Sequence, residues 1–201
     1  MTKLPLSFYQ RKDVVQIARE LLGKIIVTTF DGEITSGRIT ETEAYVGITD
    51  KASHSFGNRR TPRNEHMYAA AGIAYVYICY GMHQMFNIVT NDKDVPDAIL
   101  VRAVEPLKGI DIMLKRTGKI EPDYTLTRGP GNVGKALGIF KHHSGLRLDR
   151  KEISIFDDNF FLPETQIGIS PRIGVESAYP DSLLPYRFYI RGNKYVSGKN
   201  N

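Results

Sequence analysis

The sequence contains no tryptophan and only one cysteine, Cys79, which excludes an intramolecular disulfide framework and a multi-cysteine zinc site and suits a reducing compartment. It also lacks any apolar run near the roughly 20 residues that span a bilayer. The amino-terminal MTKLPLSFYQRKD has no apolar signal core. No membrane partner is expected, and the location is read as cytoplasmic. There is no internal repeat and no interior Pro/Gly/Ser linker, so 201 residues with 41% apolar content predict one domain over 1–201, with about 197–201 (SGKNN) as a loose tail. The net charge of +5 permits, without requiring, association with a polyanion.

Strands and helices do not alternate regularly, which predicts a mixed α+β fold rather than a doubly wound parallel sheet. Asp13 is a plausible N-cap for VVQIARELL, and Gly23 is placed to stop that helix. KIIVTTF and EITSGRITETEAYV read as β segments around an Asp31-Gly32 turn, and residues 47 to 72 read as a long loop. DAILVRAVEP is a further strand, LKGIDIMLKRTG a helix ended by Gly118, and PGNVGKALGI a helix opened by Pro130 and closed at Gly138. From Lys141 to Pro171 one strand is expected near EISIF; RIGV and YRFYIRGNKYV return to β character.

Chemistry concentrates in a few segments. AYVYICYGMHQMFNIV places Tyr75, Tyr77 and Cys79 on one strand face, with Val76 and Ile78 facing the core. Gly81 permits a tight turn, so Tyr80 and Met82 fall at a hairpin tip. Such rings can wedge between base steps, whereas a strand taken alone reads as aromatic core. Glu41, Glu43 and Tyr45 alternate onto one face, and Arg102 lies inside the apolar run AILVRAVE, where burial demands a carboxylate partner in a structural or a catalytic pair. His54 is a loop histidine, either solvated or able to stack on a ring. Arg59, Arg60 and Arg63 form a basic loop suited to phosphates or simply to water. GPGNVGKA matches a phosphate loop up to Lys135, but Ala136 stands where a Ser or Thr would reach magnesium, so a nucleotidase is rejected. A helix amino terminus near DNA phosphate remains, beside a Pro-started core helix. The histidines lack a ligand pattern, and no metal is expected.

RITETEAYVG, ASHSFGNRRTPRN, YVYICYGMHQMFN, ILVRAVEP, RGPGNVGKAL and PYRFYIRG together resemble, in order and over most of the chain, the alkyladenine (3-methyladenine) DNA glycosylase family. The resemblance implies one α+β domain, a largely antiparallel curved sheet with flanking helices and a protruding β-hairpin that enters the minor groove. By motif position, Glu43 would activate water, with Arg102 and the main-chain oxygen of Ile173 holding it. Tyr45 on one side, and His54 and Tyr77 on the other, would sandwich the extruded base, with Asn87 testing for a guanine amino group. Tyr80 would intercalate, flanked by Met82. His83 departs from the aromatic that relatives can carry there. No cofactor is implied. The partner is double-stranded DNA with a damaged purine, bound by a monomer.

The residues are compatible with that chemistry. Cleaving an N-glycosidic bond builds oxocarbenium character that one carboxylate can stabilise while it orients water. Electron-rich rings favour cationic alkylated bases. The pocket motifs contain no lysine, which predicts hydrolysis without a Schiff-base step. Two other classes use some of the same features. A non-catalytic nucleic-acid module would not need Glu43 with Arg102, and an N-glycosidase acting on RNA or free nucleosides would not need Tyr80.

Overall fold

The computed structural model describes residues 1–198. Four α-helices, α1 (Leu6–Tyr9), α2 (Val14–Glu20), α3 (Ile110–Thr117) and α4 (Pro130–Leu137), flank one antiparallel sheet. Its strands are β1 (Thr2–Lys3), β2 (Ile25–Phe30), β3 (Glu33–Tyr45), β4 (Ala74–Cys79), β5 (His83–Thr90), β6 (Asp97–Lys108), β7 (Ile153–Asp157), β8 (Ile167–Ser170) and β9 (Arg187–Ile190). The order is β1-β7-β2-β3-β6-β5-β4, with β9 pairing both β3 and β8. The architecture is α+β, as expected.

Local chemistry sets several of these elements. The Asp13 side chain accepts the Gln16 N–H at 2.9 Å and starts α2. Asp31 and Gly32, both left-handed at φ 52° and 78°, turn β2 into β3. Tyr80 and Gly81 do the same at φ 50° and 74° between β4 and β5, closed by the Met82 N–H on the Cys79 carbonyl at 3.2 Å. A tyrosine in that region is uncommon, at roughly 1–2 kcal/mol relative to a glycine.

The two-residue period of the strands divides the sheet into a packing face and a working face. Val76 of β4, Phe86 and Ile88 of β5, and Ile99 and Val101 of β6 join Ile17, Leu21, Met113, Val133 and Leu137 in the main core. The alternate positions, Tyr75, Tyr77, Asn87, Ala98, Leu100 and Arg102, line a cavity. A second apolar cluster of Met67, Tyr68, Tyr75, Val89 and Ala98 supports that side.

The structure departs from the sequence reading in places. RIGV is no strand: Gly174 at φ 76° breaks the extended run, and Arg172 turns inward to Asp50. Ile167–Ser170 is a strand the pattern missed, because Gly168 interrupts it; the Tyr189 ring covers that glycine so closely that a Cβ would lie 2.2 Å from it. Leu107 and Lys108 belong to β6, so α3 begins only after Gly109. Of the expected tail, Ser197 is instead buried and donates to Glu41, while residues 199–201 lie outside the described residues. Among the described residues no helix is long and apolar enough to cross a membrane.

Candidate active site

The working face opens into a cavity of about 590 Å³. Tyr45 from the end of β3, His54, Arg59 and Arg63 from the long loop, Tyr77 from β4, Asn87 from β5, Arg102 from β6 and Ile173 from the loop after β8 all reach it. The base-pocket residues expected from sequence are therefore brought together.

Glu43 lies behind this wall, with 0% exposure. Its Oε1 accepts the Ile173 N–H at 2.8 Å and lies 3.2 Å from Arg102 Nη1. Its Oε2 accepts the Tyr45 hydroxyl at 2.8 Å. A carboxylate offers about four acceptor positions; the two hydrogen bonds leave about one on each oxygen, and the one on Oε1 faces the Arg102 charge. Ile173 reaches Glu43 through its N–H, a contact separate from the role of holding water expected of its carbonyl oxygen. Burial pushes the Tyr45 hydroxyl well up, and the Glu43 charge adds to this, so Tyr45 remains a donor. Burial alone would lower Arg102, but Glu43 and Glu41 outweigh it and hold the guanidinium charged.

Tyr45 is fixed from beyond the cavity. The Arg172 guanidinium stands 4.7 Å from its ring centroid, donates to both Asp50 oxygens and reaches the Ala44 carbonyl at 2.9 Å. Elsewhere in the lining the His54 and Tyr77 rings meet edge to face at 4.5 Å. His54 Nδ1 is hydrogen-bonded to the buried Tyr75 hydroxyl at 2.9 Å, so Tyr75 combines core packing with the orientation of a cavity ring. Crowding by surrounding protein, then the Arg63 and Arg59 charges, push His54 down to about 4; the ring is open to the cavity, so water screens part of this shift. Burial raises the Tyr77 hydroxyl to about 12. Asn87 Nδ2 donates to the Tyr75 and Met85 carbonyls at 3.2 and 3.1 Å, which fixes its amide orientation.

The hairpin tip projects beside the cavity. Tyr80 is 89% exposed and Met82 71%. His83 is exposed but sits over α4, where a Cβ on Gly131 would lie 2.6 Å from its Nδ1. In the basic loop, Arg59 and Arg63 border the cavity, and the Arg63 guanidinium lies 5.5 Å from the Tyr77 ring centroid. Arg60 is committed elsewhere, to Glu65 and Asp94 and over the Tyr68 ring. Lys135 likewise donates to the Thr117 carbonyl at 3.1 Å, joining α4 to α3.

Sequence reasoning missed several members. Arg187 shares Glu41 with Arg102; an arginine inside the apolar YRFYI carries the same signal that marks Arg102. Lys51 lines the cavity although it lies outside the motifs used for the pocket. Arg172, Asp50 and Ser197 have no local signature. Among the described residues no group of three or more His, Cys, Asp or Glu side chains is placed to hold a metal ion.

Comparison with known proteins places this geometry in context. The family model described as methylpurine-DNA glycosylase (MPG) matches residues 7–194. Proteins named "Putative 3-methyladenine DNA glycosylase" are similar over nearly their whole length. One from Chlamydia abortus is 45% identical, covering 93% of this chain and 97% of its own. Those from Clostridium novyi and Clostridium perfringens are 44% and 40% identical, covering 99% and 98% of this chain and 100% of theirs. The chain belongs to the methylpurine-DNA glycosylase family, DNA-repair hydrolases that cleave N-glycosyl bonds.

Proposed function

We propose that the protein is a monofunctional DNA glycosylase, acting as a cytoplasmic monomer, that extrudes an alkylated or deaminated purine from duplex DNA and releases it by hydrolysis. The substrates are 3-methyladenine, 7-methylguanine, hypoxanthine and ethenoadenine. The observation that carries this reading is the Glu43 carboxylate beside an aromatic cavity, paired with Arg102 and with acceptor capacity left on Oε2. Water in that position donates a hydrogen bond to Oε2 and attacks the anomeric carbon as the base departs. Glu43 takes up the proton and its charge stabilises the oxocarbenium character of the sugar. Arg102 orients the carboxylate and the water, and the Ile173 main chain closes the same corner.

Tyr45 stacks on one face of the base, with His54 and Tyr77 on the other. Electron-rich rings suit cationic bases; a neutral His54 adds stacking without repelling them. Asn87 tests the edge where guanine carries its amino group. Tyr80 fills the gap left in the stack, offsetting part of the few kcal/mol that extrusion costs, and Met82 flanks it. Arg59 and Arg63 meet the phosphates. Lys51 is exposed, without the apolar burial that activates Schiff-base lysines.

The test is base release from duplexes bearing each lesion, with EDTA present, against free nucleosides. Release from duplex alone is expected, with no borohydride-trapped adduct. Glu43→Gln is expected to bind lesion duplex normally and lose about 10²–10⁴-fold in turnover. A fully active Glu43→Gln would remove Glu43 from the chemistry.

A further inference from the structure

The Glu43–Arg102 pair does not stand alone. Glu41, two residues before Glu43 on β3, is likewise buried with 0% exposure, but whereas Glu43 bonds the cavity-lining Tyr45 and Ile173, Glu41 turns to Arg187 and Ser197, which do not line the cavity. Its carboxylate is nevertheless saturated with donors. Oε1 accepts from Arg102 Nε at 2.9 Å, Arg187 Nε at 2.7 Å and Ser197 Oγ at 2.8 Å. Oε2 accepts the Ser197 N–H at 2.6 Å. The Ser197 hydroxyl donates to Glu41 and accepts from Arg102 Nη2 at 3.2 Å, while the Ser197 carbonyl accepts from Arg187 Nη2 at 2.6 Å.

We infer that Glu41 is a positioning residue for catalysis: with Arg187 and Ser197 it fixes the Arg102 guanidinium and balances the charge around Glu43. The inference rests on the reading of Glu43 as the base. A purely structural pair would need one carboxylate and one arginine. Here two carboxylates and two guanidinium groups meet in the interior with charges that sum to zero, and Arg102 is shared, Nε to Glu41 and Nη1 to Glu43. Three separate groups on Nε, Nη1 and Nη2 hold the plane of Arg102. Without the Glu41 charge, Arg102 has Glu43 as its remaining carboxylate partner, and the tighter pair takes up acceptor capacity that water needs. Buried charges interact strongly because little water screens them.

The groups facing Glu43 are the Tyr45 and Tyr77 phenols, Glu41, Arg102 on β6, Arg187 on β9 and Arg172 from the loop after β8. Of these, Glu41 and Arg187 neither line the cavity nor touch Tyr45, so neutral groups can replace them with the cavity walls still present. This permits a test by opposing charge changes, read as the pH dependence of single-turnover release of hypoxanthine from duplex DNA.

Glu41→Gln leaves excess positive charge and is expected to lower the rate at least tenfold and move the acid limb of the profile to lower pH, with lesion binding intact. Arg187→Gln is expected to move the limb the other way. The double variant restores neutrality and is expected to bring the limb back to its original position. Ser197→Ala removes only a hydroxyl and is expected to cost about tenfold in rate, the worth of one hydrogen bond to a charged group. A folded Glu41→Gln with wild-type rate and limb overturns the inference, as does a double variant whose limb is not restored. Where Glu41→Gln fails to fold, the double variant and Ser197→Ala decide: wild-type rate in Ser197→Ala, or a displaced limb in the double variant, overturns it. An active Glu43→Gln overturns the underlying reading instead, so the two failures are distinguishable.

Discussion

Residue identity at the cavity is set as much by what lies behind a side chain as by what faces the substrate. Tyr45 has Arg172 at its back and Glu43 at its hydroxyl, and His54 is held by Tyr75. His54 also gives a measurable pH signature. In the folded protein its pKa is pushed from 6.5 to about 4, so as pH falls the unfolded chain takes up the proton first. Its effect on stability is therefore absent above about pH 6.5 and grows unfavourable from there down to about 4. Urea unfolding at several pH values should show His54→Gln losing less stability than the wild type across that window. Equal losses would mean that His54 does not have a depressed pKa.

Among elements, the β4–β5 hairpin depends on α4. Gly134 of α4 lies against β5 so closely that a Cβ would fall 2.4 Å from the Gln84 carbonyl oxygen. Gly→Ala within a helix normally gains up to about 1 kcal/mol in propensity, whereas overpacking typically costs about 1–3 kcal/mol; against a backbone oxygen the second effect wins. Gly134→Ala should lower the melting temperature and slow base release, while Gly131→Ala, whose nearest contacts are with the exposed His83 side chain, should do less to stability. Calorimetry of the two variants checks the order. Elements with a local cause were legible in the sequence: Asp13 caps α2, Asp31-Gly32 and Tyr80-Gly81 make the turns, and Gly138 closes α4. Those set by distant partners were not. β8 exists because Tyr189 covers Gly168, and Arg172 leaves the strand pattern because Asp50 is 122 residues away. The same division holds at the site, where motif blocks identify Glu43, Tyr45, Tyr77 and Arg102 but nothing local points to Ser197.

At the scale of the whole molecule, the segment after β9 returns to the sheet and seals the buried charges. Val196 is fully buried and Ser197 covers Glu41. A chain ending at Tyr195, compared with one ending at Gly198, loses a buried valine worth about 1.5–3 kcal/mol and leaves Glu41 short of donors. Its melting temperature and its rate of base release should fall together; preserved activity would show that the ionic cluster holds without this seal. β3 has a further consequence. It is paired along both sides, by β2 and then β9 on one edge and by β6 on the other, and it carries Glu41, Glu43 and Tyr45. Such a strand opens only with the cooperative unit around it, whereas Tyr80 stands outside the β4–β5 ladder with 89% of its surface exposed. The protein thus joins an exposed aromatic tip to a carboxylate-bearing strand that cannot loosen without loss of the fold.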